Sequence, residues 1–147
     1  MPHTSNPDQL CHILLVSEDE TKEKLLSERL DRAGEGCFKI KRYTKLEALK
    51  SLELETFCDV ALVDLELGAD RLIPFLHWIG NLHSPVPLVA ACRDFADLQP
   101  FENVRFYIDD YLLIDDAGPE ELATRIDQVL RQREKIHYLY QEQNLLH

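Results

Sequence analysis

The sequence has no apolar segment of the roughly 18–20 residues that a membrane-spanning helix requires. Its first residues lack the basic and apolar segments of a secretory signal. Cationic residues are also scarce, because 16 Lys and Arg stand against 27 Asp and Glu, which gives a formal charge of -11. A chain with this charge is repelled by phosphate backbones. We therefore expect a cytoplasmic protein that binds no membrane and has no direct contact with nucleic acid.

Cysteine and glycine are sparse in this chain of 147 residues. The 4 cysteines are widely separated and form no C-x-x-C pair, which argues against a zinc ribbon and against a small disulfide-stapled domain. With 5 Gly, 7 Pro and 45% hydrophobic residues, the composition is that of an ordinary globular chain. The length suits one domain, and we expect its cysteines to be reduced thiols.

Short apolar runs alternate with helical patterns along the chain. The runs are typical of strands covered on both faces, and the segments between them repeat leucine at helical spacing. The predicted strands are residues 12–16, 38–41, 59–65, 86–91 and 111–114. The predicted helices run from about Glu20 to Gly34, from Thr44 onward, over 72–82 with Pro74 near the first turn, and from the 116–121 segment onward. Residues 93–110 predict a short or irregular helix, although 104–108 resembles a strand.

Five strands alternating with five helices predict a doubly wound α/β domain around a parallel sheet. In such a sheet, polar chemistry collects beyond the carboxyl ends of the strands. The residues at these ends are Ser17, Glu18, Asp19, Asp64, Cys92 and Ile114. Acids from adjacent strands suit Mg²⁺, and a carboxylate facing solvent can act as a nucleophile toward a phosphoryl group. Asp64 closes an otherwise apolar strand and is the candidate nucleophile, whereas the acids after the first strand are equally typical of helix caps.

Four segments resemble, in order and spacing, the receiver domain of bacterial two-component response regulators. Residues 13–20 (ILLVSEDE) are similar to its opening strand and acidic cluster, and residues 58–65 (CDVALVDL) to its phosphoacceptor strand. Residues 86–92 (VPLVAAC) and 109–114 (DDYLLI) are similar to its fourth and fifth strands. The resemblance implies a flavodoxin-like, CheY-like (βα)5 fold with strand order 2-1-3-4-5.

The resemblance also implies roles for individual residues. It implies that Asp64 is the phosphoacceptor and that Mg²⁺ is held by Glu18, Asp64 and the backbone carbonyl of Glu66, with Asp19 beside them. Tyr111 becomes an aromatic switch, although an aromatic residue in a late strand is also typical of ordinary core. The implied partners are a histidine kinase or another signalling protein, and an output domain.

The sequence departs from the family pattern at the positions that handle the phosphoryl group. Ser17 stands where the family has its first acid, and Cys92, a weak hydrogen-bond donor, replaces the hydroxyl at the end of the fourth strand. Ile114 replaces the lysine that pairs with the phosphoryl group, and Asp115 follows it. Loss of a cation paired with a phosphoryl group costs a few kcal/mol, so we expect a degenerate pocket, a pseudo-receiver. Because Ser17 replaces the first acid and Glu18 takes the second acidic position, we expect weak or absent Mg²⁺ binding. Arg71 and Arg93 are candidates for a replacement cation.

Two functions of different classes fit these residues. The first is a receiver-like signalling domain that acts as a regulatory protein-interaction and dimerisation module and is not itself an enzyme. The second is a working phosphoacceptor that takes a phosphoryl group from a histidine kinase onto Asp64 with Mg²⁺ and changes its surface by population shift. A third, remote reading is a small hydrolase with an Asp64 nucleophile, although Glu66 stands where such enzymes need a second Asp.

We expect the chain to divide into a flexible leader (1–11), the receiver-like domain (12–131) and a helical extension (132–147). We expect the extension to project beyond the domain and to connect it to an output domain or to a second copy. Positions 122, 126, 129, 133, 136 and 140 follow alternating steps of four and three and are nearly all apolar or aromatic, which is typical of a helix-pairing seam. This pattern predicts a homodimer.

Overall fold

The computed structural model describes residues 10–34, 36–49, 58–82 and 86–145. For residues 47, 48 and 133–145 it describes the backbone but not the side chains. Its strands are β1 (Cys11–Val16), β2 (Phe38–Tyr43), β3 (Val60–Asp64), β4 (Leu88–Cys92) and β5 (Asp110–Leu113). Its helices are α1 (Glu20–Ala33), α2 (described over Leu46–Leu49), α3 (Ala69–Gly80) and α4 (Pro119–Leu145). Segments of 3-10 helix cover Leu65–Leu67 and Phe95–Tyr107.

The strands form one parallel sheet in the order β2-β1-β3-β4-β5, which confirms the predicted fold class and strand order. The two central strands β3 and β4 are buried along their whole length, as expected for strands covered on both faces. Strand β2 lies at an edge, and its exposed Lys39 and Lys41 alternate with half-buried residues. Lysines on an edge strand discourage pairing with the edge of another sheet.

Each face of the sheet has its own apolar core. One core joins the sheet to α2, α3 and the 3-10 segment, with Leu49, Phe75 and Phe101 among its buried side chains. The other core joins the sheet to α1 and α4, and includes Leu26 and Ile126. Helices on both faces of a parallel sheet are the doubly wound arrangement predicted from the alternation of elements. None of the helices in the described parts of the chain is long and apolar enough to cross a bilayer.

Helix α3 begins earlier than the sequence pattern predicts. Gly68 has a φ of +94°, a left-handed conformation that L side chains rarely adopt, and it joins the 3-10 turn to the helix. Its carbonyl accepts a hydrogen bond from the backbone N–H of Leu72. The helix therefore starts at Ala69, so the expectation that Pro74 lies near the first turn is wrong, and the proline lies inside the helix instead.

The segment between β4 and β5 is a 3-10 helix, which agrees with the expected irregular helix. Asp94 starts it by accepting a hydrogen bond from the N–H of Ala96 at 2.8 Å. The strand-like appearance of residues 104–108 is misleading, because Val104 is buried against the sheet at a local kink, with φ -121°. Strand β5 accordingly begins only at Asp110.

The last helix runs from the domain core into the extension, and its backbone is helical to Leu145. Leu122, Ile126 and Val129 are buried in the core that α4 shares with α1. These three side chains are therefore unavailable to a second copy. A pairing seam on this helix is confined to positions after Leu130, and the side chains of its predicted positions 133, 136 and 140 lie outside the described residues.

Candidate functional site

Two buried polar side chains lie at the carboxyl ends of the neighbouring strands β1 and β3. Asp64 is the last residue of β3 and is 3% exposed, and Ser17 follows β1 and is 0% exposed. The Ser17 hydroxyl donates a hydrogen bond to Asp64 Oδ2 over 2.7 Å. Ser17, at the position where the resemblance places the first acid, therefore donates a hydrogen bond to the Asp64 carboxylate. An acidic side chain at this position would repel that carboxylate.

The Asp64 carboxylate is also bound by a lysine from the first turn of α1. The Lys22 ammonium lies 2.9 Å from each of the two Asp64 oxygens and 2.7 Å from Glu66 Oε2. The backbone N–H of Glu66 donates to Asp64 Oδ1 over 3.1 Å, which also caps the 3-10 turn. Both oxygens of the predicted nucleophile thus accept hydrogen bonds from the protein itself.

The electrostatic environment of Lys22 favours its charged form. Burial is the largest single influence and disfavours the charge, but the hydrogen bonds and negative charges of Glu66 and Asp64 together outweigh it. The pKa of Lys22 is therefore raised above its usual value of 10.5. The ammonium is a permanent cation at neutral pH, placed where the resemblance implies a divalent metal.

The other predicted metal ligands have different partners. The Glu18 carboxylate pairs with Arg71, and Asp19 caps α1 by accepting from the N–H of Thr21 at 2.9 Å. Glu66 also forms an ion pair with Arg93, with 2.9 Å between Arg93 Nε and Glu66 Oε1. The structure therefore brings Asp64 and Glu66 together around Lys22, while Glu18 and Asp19 are held apart from that contact. Arg71 and Arg93, the candidate replacement cations, pair with the surrounding acids.

The residues present do not fit a Mg²⁺ ion. An open cavity of about 320 Å³ adjoins Asp64 and is lined by Glu18, Asp19, Glu20, Asp64, Glu66 and Leu67. Mg²⁺ requires a near-octahedral set of oxygen ligands. With Lys22 bound between Asp64 and Glu66, no group of three or more Asp, Glu, His or Cys side chains among the described residues is arranged to hold a metal. The Lys22 ammonium takes the Asp64 oxygens that such an ion needs.

Cys92 lies at the end of β4 and is buried, with its thiol 3.6 Å from the carbonyl of Leu112. Burial raises the pKa of this thiol, and the negative charges of Asp97 and Asp94 raise it further. The thiol is therefore protonated at neutral pH and is turned toward the backbone of β5. It is a weak donor in a position where a hydroxyl is the family's usual residue.

Ile114 follows β5 and is 2% exposed in the core between α1 and α4. Its N–H donates to the carbonyl of Cys92 at 3.0 Å. The turn after it is tied to α1 by Arg29, whose Nη1 donates to the carbonyls of Ile114 at 2.5 Å and Ala117 at 2.7 Å. An apolar side chain and a backbone clamp thus stand where the family places its phosphoryl-binding lysine.

Tyr111, the predicted switch residue, is half-buried on β5. Its ring packs edge-on against Phe95, with ring centroids 5.3 Å apart and an interplanar angle of 89°. Phe95 is itself 57% exposed. Both residues line a groove of about 350 Å³, together with Leu98 and Arg105, and a smaller groove of about 80 Å³ beside α4.

Sequence reasoning missed Lys22 and Arg29. A signal for Lys22 was available, because a lysine near the N-terminus of a helix opposes the helix dipole and needs another reason to be there. The start of a helix that follows a parallel strand also lies beside the strand ends, which brings residue 22 to the acids. Arg29 carried no such signal, since its partners are backbone carbonyls 85 and 88 residues away.

The structure is similar to solved response-regulator structures, although no protein-family model and no curated protein sequence matches the chain. A response regulator from Thermotoga maritima superimposes with a TM-score of 0.66 at 15% identity, over 83% of this chain and 98% of that one. A CheY-like receiver domain protein from Methanospirillum hungatei gives 0.64 at 19% identity, over 86% and 98%. The chemotaxis response regulator CheY4 of Vibrio cholerae gives 0.61 at 14%, over 82% and 98%. This chain therefore has the CheY-like fold of response-regulator receiver domains.

Proposed function

We propose that this protein is a receiver-like signalling domain whose phosphorylation pocket is degenerate and which acts through contacts with other proteins. One observation carries the proposal: the Asp64 carboxylate is already bound by the Ser17 hydroxyl, the Lys22 ammonium and the Glu66 N–H. In this role the domain is regulatory and cytoplasmic, and any enzyme activity belongs to an output domain. Its partners are a histidine kinase or another signalling protein, and that output domain.

Phosphoryl transfer onto Asp64 requires one carboxylate oxygen to attack the phosphorus atom. That oxygen would have to leave a buried ion pair, which lowers its nucleophilicity and adds the cost of separating the charges. After transfer, the phosphoryl group would face Cys92 and Ile114 in place of a hydroxyl and a cation. Both steps are therefore unfavourable relative to those of a receiver with the full family pattern.

The test is exposure of the protein to a small-molecule phosphodonor with Mg²⁺, followed by intact-mass measurement. We expect no phosphorylated species in the wild type, and no rise in the thermal midpoint with beryllofluoride, because a ligand raises that midpoint only by binding the native state. A conventional receiver serves as the positive control. Phosphoryl incorporation that is lost in Asp64→Asn and retained in Asp70→Asn, a change to an exposed acid of α3, would refute the proposal.

The alternative is a working phosphoacceptor, and one observation favours it. Lys22 brings a cation to Asp64 from α1, and a cation at this position offers a charge partner for a phosphoryl group that Ile114 does not. The cavity beside Asp64 is open to solvent and leaves room for such a group. In this case the same assay gives phosphorylated protein, and the variant Lys22→Met loses it.

The interaction role includes dimerisation through the part of α4 that extends beyond the domain. Since Leu122, Ile126 and Val129 belong to the core, pairing is assigned to residues 132–147. Deletion of residues 132–147 should lower the mass measured by light scattering from that of a dimer to that of a monomer, while the melting of the domain remains cooperative. If the chain of 147 residues is already monomeric at high micromolar concentration, this part of the proposal is refuted.

A further inference from the structure

We infer that Lys22 is a built-in counter-ion that replaces a divalent cation at Asp64, so that the native pocket is complete without metal and its acids bind Mg²⁺ only when the ammonium is removed. The inference rests on the proposed function, because it explains how the degenerate pocket is neutralised. Lys22 belongs to α1 and is not one of the residues at the carboxyl ends of the strands. The geometry, the burial and the position of Lys22 in its helix support it.

The geometry is that of a cation bridging two carboxylates. The ammonium is equidistant from both Asp64 oxygens at 2.9 Å and lies 2.7 Å from Glu66. The Lys22 side chain is 13% exposed and that of Asp64 is 4% exposed, so water contributes little to their neutralisation. A second cation at these oxygens would meet the repulsion of the ammonium at short range. The lysine and a metal therefore exclude each other.

The position of Lys22 in α1 indicates that the pocket, and not the helix, favours the lysine. Asp19 caps this helix and Glu20 and Glu23 lie in its first turn, as the dipole favours, whereas a lysine there is unfavourable. The repulsive interaction with the dipole is offset by the pair of carboxylates. An ordinary structural ion pair is the competing interpretation, and it predicts no metal binding in any variant.

The experiment is a titration of MgCl2 to millimolar concentration, followed by thermal melting, with NaCl at equal ionic strength as the reference. The wild type should show no Mg²⁺-specific rise in midpoint. Lys22→Met should melt lower without Mg²⁺ and should gain roughly 3–6 °C at about ten times its dissociation constant. The double variant Lys22→Met/Asp64→Asn should gain nothing, because the central ligand has lost its charge.

The matched control is Lys24→Met, which removes an exposed lysine from the same helix and should behave like the wild type. If Lys22→Met does not fold without Mg²⁺, Lys22→Gln, which keeps a hydrogen-bond donor but no charge, serves in the same titration. A wild type that is stabilised by Mg²⁺ as much as the variant would overturn the inference. A folded Lys22 variant that shows no Mg²⁺ response would also overturn it.

The outcome is separable from the test of the proposed function. Phosphoryl incorporation into the wild type would refute the degenerate pocket, while the difference in Mg²⁺ response between wild type and variant would still stand. Conversely, a wild type that is inert to phosphodonors together with a Lys22→Met variant that ignores Mg²⁺ would keep the proposed function and remove the counter-ion.

Discussion

Lys22→Met should lower the free energy of unfolding by about 3–5 kcal/mol at neutral pH. This is the largest effect that we expect from any single substitution proposed for this protein. The reason is the carboxylate that remains. Asp64 is 3% exposed, and without the ammonium its negative charge is buried with only the Ser17 hydroxyl and the Glu66 N–H as donors. Methionine retains the unbranched stem, so the loss reports the missing charge more than lost packing. Denaturant unfolding of both proteins measures the difference.

The double variant Lys22→Met/Asp64→Asn separates the ion pair from the fold. Replacing both charges leaves no uncompensated buried ion, and removal of a whole buried pair is often nearly neutral. We expect the double variant to regain most of the stability lost in Lys22→Met. The exposed neighbour substitution Lys24→Met should change stability by less than about 0.5 kcal/mol. Strictly additive losses from Lys22→Met and Asp64→Asn would contradict the ion-pair explanation.

The pH dependence of the same difference has a definite sign. The pKa of Lys22 is raised in the folded protein above the value of 10.5 that it has when unperturbed. The folded state then binds the proton more tightly, so the stabilisation is fully present below about 10.5 and is lost as the pH rises through the folded pKa. The stability difference between the wild type and Lys22→Met should therefore be constant from neutral pH to about 10 and should shrink at higher pH.

Most of the fold was predictable because burial leaves a direct mark on sequence. Strands β3 and β4 are covered on both faces, and each is a continuous run of apolar residues up to its polar or cysteine end. The strand order, by contrast, came from the resemblance to a family and not from the periodicity. Element boundaries shifted where backbone geometry decided them, as Gly68 did for the start of α3.

The candidate site was predictable only in part, since a sequence shows which residues end the strands but not which side chains reach them from elsewhere. Ser17 and Asp64 were found because they close β1 and β3. Lys22 contacts Asp64, which is 42 positions away in the sequence. A lysine side chain is long enough to reach several different partners, so the sequence alone does not show which one it binds. The spacing of Leu122, Ile126 and Val129 was equally ambiguous, because steps of three and four describe a core-facing helix and a pairing seam alike.

Arg29→Met should destabilise the domain by about 2–4 kcal/mol, because hydrogen bonds that involve a charged donor contribute about 1.5–3 kcal/mol each and the freed carbonyls regain only part of this from water. Arg29 Nη1 donates to the carbonyls of Ile114 and Ala117, so it ties the turn between β5 and α4 to α1. The effect should be concentrated in that turn. Hydrogen exchange should show earlier loss of protection at the N–H of Ala117, which is bonded to the Leu113 carbonyl, than at the amides of β3.

The matched control is Arg32→Met, which removes an exposed arginine from the last turn of α1 and should cost less than about 1 kcal/mol. Equal losses from the two substitutions would mean that Arg29 acts only through the general charge of the helix. Uniform loss of protection over the whole sheet would contradict a local clamp. If the clamp is local, the turn that follows β5 is held by α1 through backbone carbonyls, so its position does not depend on a phosphoryl group at Asp64. The same helix then supplies both the cation that binds Asp64 and the arginine that holds the turn after β5.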